Sequence, residues 1–154
     1  MPQLVKGGKN AFAWSVVDEE GRIVIPPDAF TEYHFRNGEK AILMSGSKKS
    51  GGFGLTTTGL IKGSPISEFL RACPQLAEYT IPQGKAVKLK TKIYCWVLID
   101  NKSIKVPLET LQRYGIKKGD YLLAVRGSGF ALGFVVRGPI IKEAKKHPEL
   151  MVYT

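Results

Sequence analysis

Hydrophobic and polar positions alternate most clearly over residues 85–100. Val87, Leu89, Thr91 and Ile93 fall on one side, and Lys88, Lys90 and Lys92 on the other. A period of two with β-branched residues predicts a half-buried strand. From Ile93 to Ile99 the run is apolar on both faces, so this part is expected to be covered on both. Phe12 to Val17 plays the same part earlier in the chain. Each run meets a turn, Asp18-Glu19-Glu20-Gly21 or Asp100-Asn101-Lys102-Ser103. The first offers a glycine for positive φ; the second has none and runs one residue fewer from its aspartate to the isoleucine that follows, Asp100 to Ile104 against Asp18 to Ile23. Short return strands follow, with Ile23 and Ile25, or Ile104 and Val106, expected in the core. Pro26 and Pro107 end them.

A brief helix comes next. Leu108, Leu111 and Tyr114 form one apolar face and Gly115 is placed as a C-cap. The first copy has Phe30 and Tyr33 at the matching places, but His34 where the glycine should be. Gly38-Glu39 and Gly119-Asp120 then turn into strands over 40–44 and 121–125. Glycine-rich loops, further strands over 55–58 and 132–136, and closing helices at Ser64-Pro65 and Gly138-Pro139 complete each half.

The two series are copies. Gly21-Arg22-Ile23-Val24-Ile25-Pro26 is answered by Ser103-Ile104-Lys105-Val106-Pro107. Gly38 follows Pro26, and Gly119 follows Pro107, by twelve positions. Pro2-Gln3 recurs as Pro82-Gln83, Phe12-Ala13-Trp14 as Tyr94-Cys95-Trp96, Gly46-Ser47 as Gly127-Ser128, and Tyr79-Thr80 as Tyr153-Thr154. An internal repeat governs the architecture. It predicts one unit from 1–80 and a second from 81–154, interlocked into one globular, mostly β body with short helices.

Charge adds a partner class. The net charge is +10, from 23 Lys and Arg against 13 Asp and Glu. A field of that sign favours polyanions. No run approaches the roughly 20 apolar residues of a bilayer span. The N-terminus lacks the apolar stretch of a signal peptide, so a cytoplasmic setting and no membrane partner are expected. Cys73 and Cys95 form no CxxC pair, and two scattered histidines, His34 and His147, complete no zinc set. No metal, cofactor or catalytic constellation is expected.

The paired motifs resemble the AbrB/MazE/SpoVT swapped-hairpin superfamily, and the tandem arrangement with a helix after each copy is similar to the MraZ form. Asp18 and Arg22 match the Asp-x-x-x-Arg signature of that branch. Residues 107–120 resemble its helix-and-turn segment. The resemblance implies interlocked hairpins closing one small barrel, an intramolecular pseudo-dimer, and double-stranded DNA binding by a transcriptional regulator, with further homo-oligomers open. The second copy departs from the pattern, with Ser103 where Arg22 stands.

Phosphate contacts need cations on a shared face. The candidates are Arg22, Lys102 and Lys105 in the first hairpins, Lys48 and Lys49 in a glycine-rich loop, Lys85, Lys88, Lys90 and Lys92 on the alternating strand, Arg126, and Lys145 and Lys146 at the close of the final helix, where they also complement its dipole. Each has a structural alternative: the lysine row also protects a sheet edge, and Arg22 can pair with Asp18. Trp14 and Trp96 are expected to pack in cores. RNA binding and a protein-interaction, antitoxin-like module are rival functions, beside a small-molecule-binding or catalytic barrel that would show a deep pocket with convergent polar groups. Exposed aromatics on a basic sheet face would favour the first of these, and an apolar groove the second.

Overall fold

The computed structural model describes residues 3–4 and 10–154. Pro2 of the first repeat match, with residues 5–9, lies outside them. The described chain is mostly sheet, with six short helices and one 3-10 turn. Its strands are β1 (Gln3–Leu4), β2 (Asn10–Val16), β3 (Arg22–Val24), β4 (Lys40–Ser45), β5 (Phe53–Thr56), β6 (Val87–Leu89), β7 (Lys92–Leu98), β8 (Ser103–Lys105), β9 (Tyr121–Arg126), β10 (Leu132–Val135) and β11 (Val152–Tyr153). The helices are α1 (Pro27–Glu32), α2 (Thr58–Ile61), α3 (Glu68–Ala72), α4 (Pro74–Ala77), α5 (Leu108–Arg113) and α6 (Pro139–Ala144).

The main sheet runs β1-β2-β9-β10-β5-β4-β7-β6, with β11 parallel to β2; β3 and β8 form a separate ribbon. The strands of one half thus pair chiefly with those of the other. Trp14 of β2 lies opposite Leu123 of β9, and its counterpart Trp96 of β7 lies opposite Ile42 of β4. In the ribbon Ile23 faces its own counterpart, Ile104. In the sheet centre Gly54 faces Gly133. The register is therefore the same read from either end, with a pseudo-twofold relation through these two central pairs.

The turns obey the same relation. Val17 N–H donates to Asp120 O (3.0 Å) and Gly119 N–H to Val17 O (2.8 Å). Ile99 N–H donates to Glu39 O (2.8 Å) and Gly38 N–H to Ile99 O (2.7 Å).

Alternation explains the layers. Ile23, Ile25, Ile104 and Val106 point inward against Phe53, Leu55, Leu132 and Phe134 in one central core. Each fully buried branched side chain there contributes about 1.5–3 kcal/mol. The outer faces of the sheet carry two satellite clusters. Trp14, Leu123 and Val125 are covered by Ile141 and Ala144 of α6; Ile42 and Tyr94 are covered by Ile61, Phe69 and Leu76 of α2–α4, with Trp96 packed at the margin. Both tryptophans thus pack against their cores, as expected.

Four expectations are corrected. The sheet is open: its path ends at β1 and β6, which do not pair with each other, so no closed barrel forms. The return strands do not ladder with the strands before them; β3 pairs with β8 instead. The alternating stretch 85–100 is not one strand. Lys90 takes φ 56°, and Leu89 pairs with Lys92 across a two-residue turn, so β6 folds back onto β7. Leu108 is 40% exposed and does not join the buried face of Leu111 and Tyr114, because α5 offers the core little more than one turn. His34, by contrast, occupies the left-handed region (φ 57°) that its counterpart Gly115 also takes (φ 78°), at the strain cost a non-glycine residue carries there.

Candidate nucleic-acid interface

The cations predicted as one site separate into three places. The first is the β3–β8 ribbon. Arg22 lies opposite Lys105 in the ladder. Its Nε donates to Ser103 Oγ at 3.1 Å, so the two positions that break the repeat bond each other directly. Asp18 does not pair with the guanidinium. Its Oδ1 accepts the backbone N–H groups of Glu20 and Arg22, both at 2.8 Å, and so shapes the turn. Lys105 Nζ is 3.0 Å from Glu20 Oε2. The Lys102 ammonium lies 5.7 Å from the Phe30 ring centre. With Asp18, Glu19, Glu20 and Asp100 alongside, acids outnumber Arg22, Lys102 and Lys105 on this ribbon.

The second place is Arg126 at the end of β9. Its guanidinium makes a two-pronged ion pair with Glu32 and lies over the Phe12 ring. The carboxylate holds the guanidinium more firmly protonated than usual. Such a fork–fork pair occupies the donors a phosphate would use. Beside it, Tyr33 Oη donates to Ser128 O (2.6 Å) and Thr56 Oγ1 to Phe130 O (2.5 Å), fixing the second glycine loop.

The third place is where β4 ends beside the start of β7. Lys92 Nζ donates to Ser45 O (3.1 Å), and Ile93 N–H to Ser45 Oγ (2.9 Å). These bonds bring the 45–52 loop, with Lys48 and Lys49, to the hairpin that carries Lys88, Lys90 and Lys92. The loop is held from behind. Gly52 N–H donates to Tyr114 O (3.1 Å), Arg137 Nη2 to Lys48 O (2.7 Å), and Val136 N–H to Ser50 O (3.0 Å). At Gly52 a Cβ would stand 1.9 Å from Phe134 O and φ is 70°, so no other residue fits this close approach.

All five lysines are exposed, and none makes an ion pair among the described residues. The sequence explains why: no acid occurs between Glu39 and Glu68 or between Glu78 and Asp100. Lys92, a candidate through the alternating row, links loop to hairpin; that link was not legible in the sequence. The missing signal was the turn at Lys90. Lys88 also sits on the terminal strand of the sheet, where it guards an edge.

Among the described residues no group of His, Cys, Asp and Glu could hold a metal ion, and no helix is long and apolar enough to cross a membrane. The chain matches no family model, no curated protein and no solved structure.

Proposed function

We propose that the chain is a DNA-binding protein of the swapped-hairpin type, an intramolecular pseudo-dimer acting in transcriptional regulation. It holds the phosphate backbone on the face made by the 45–52 loop and the β6–β7 hairpin. The observation that carries this reading is the set of five exposed lysines, Lys48, Lys49, Lys88, Lys90 and Lys92, free of ion pairs and joined by the Lys92–Ser45 bond. The exchange of strand partners between halves supports the swapped-hairpin part. The β3–β8 ribbon is the weaker surface, because its acids and the Glu20–Lys105 pair oppose phosphate.

A salt titration of a fluorescent random duplex tests it. Five neutralised phosphates give a log–log slope of about −4.5. Reversing Lys48 and Lys49 to Glu lowers affinity at least about tenfold and flattens the slope by about 2. Lys105→Glu leaves both nearly unchanged. Absence of duplex binding at low salt sinks the proposal. Equal losses at Lys105 and Lys48 would move the site to the ribbon, and tighter binding to single-stranded RNA would change the partner.

A further inference from the structure

On the outer face of the sheet the central pair is Gly54 and Gly133. Their neighbours along each strand, Phe53, Leu55, Leu132 and Phe134, all point into the core, so the two glycines face out. Neither has a positive φ, so backbone conformation does not require glycine at either place. Space does not require it at Gly54 either, where a Cβ would meet nothing closer than Ala131 Cβ at 3.4 Å; at Gly133 a Cβ would press on Val125 Cγ2 at 3.0 Å, so Gly54 is the glycine that packing leaves unexplained. Glycine inside a strand weakens it, and commonly marks close approach by a ligand or another chain.

Over this pair lies a groove of about 420 Å³. Met44 and Tyr94 wall one side, Val125 and Val135 the other. Lys92 is its one charged lining residue. The Lys92 ammonium spends one donor on Ser45 O and keeps two. An apolar trough within the usual size range of small-ligand sites, with one cation outside any ion pair at its margin, is complementary to an apolar body ending in a single negative charge.

We propose that this groove binds a small amphiphilic carboxylate, with its hydrocarbon over the Gly54–Gly133 floor and its carboxylate on Lys92. The proposal does not rest on DNA binding.

Isothermal titration of the full chain with decanoate, and with decanol as its uncharged twin, tests it. Decanoate binds at one site per chain. Gly54→Met fills the floor and weakens binding by at least about thirtyfold. Gly54→Ala, which fits without a clash, weakens it by several-fold and keeps the thermal midpoint, so a misfolded Met variant cannot decide the result. Lys92→Gln weakens decanoate about tenfold and leaves decanol unchanged. Lys92 belongs to both surfaces, whereas Lys48 and Lys49 do not line the groove; their charge reversal weakens decanoate less than Lys92→Gln does and leaves decanol unchanged. No decanoate binding, unchanged binding in both Gly54 variants, or equal loss of decanoate and decanol in Lys92→Gln overturns the proposal.

Discussion

Cys95 shows what complete enclosure does to a single residue. It lies in the central core, fully buried. Burial pushes its thiol up from 9.0 to about 11, partly opposed by the Tyr114 hydroxyl. Tyr33, also desolvated, is pushed up to about 12. A raised pKa means that the folded state holds its proton while the unfolded chain loses it. The stability linked to Cys95 is therefore complete below pH 9 and lost as pH rises towards 11. Urea midpoints measured across the alkaline range should fall from about pH 9 upward, with Cys95→Ala flattening the first part of that fall. A thiol reagent near neutral pH should leave Cys95 unmodified until the chain unfolds. A flat profile to pH 11 would contradict the burial argument.

Among the elements, the β3–β8 ribbon makes the most direct test of the pseudo-twofold relation. Ser103 is buried, donates to Asp100 O at 2.7 Å and accepts from Arg22 Nε. Arginine at both positions would set two guanidinium groups against each other and break the Asp100 bond. Ser103→Arg should cost about 2 kcal/mol, read from urea unfolding. The exchange Arg22→Ser with Ser103→Arg should recover most of that loss, because it rebuilds the same pair on the other side of the axis. A double variant as weak as the single one would show that the two places are not equivalent.

How much of this was legible depends on the kind of contact. Local chemistry was readable: the Pro107 and Gly115 boundaries of α5, the glycine turns before β4 and β9, and the inward isoleucines all stand where pattern placed them. The two-residue turn at Lys90–Thr91 was hidden, because a lysine in the left-handed region leaves no glycine mark and alternation runs through the fold-back unbroken. Of the candidate cations, pattern could group lysines by sequence distance only. That Glu32 claims Arg126 and Glu20 claims Lys105 depends on pairings between halves, which one strand's periodicity does not carry.

At the scale of the whole molecule, five of the nine ladders among the described residues join one half to the other. β2 relies on β9, β7 on β4, β5 on β10, and β3 on β8. Fragments 1–80 and 81–154 should each be poorly ordered alone by circular dichroism and regain the native spectrum when mixed. Two independently folded fragments that ignore each other would overturn this account of the architecture. Each half keeps the β1–β2 and β4–β5 or the β6–β7 and β9–β10 ladders to itself, but the pairing that joins the halves is long-range and slow to form.

The dependence of the first half on the second has a consequence at the ribosome. Tyr33 ends hydrogen-bonded to a carbonyl 95 residues further on. At translation speeds of roughly 5–20 residues per second, that acceptor emerges about 5–20 s after the tyrosine. Throughout this interval Phe12 and Trp14 have been made but lack their final neighbours on and beyond β9. The nascent chain should therefore be a client of holding chaperones until its last quarter appears, and a stall in the region of residue 100 should be more damaging than one near residue 30.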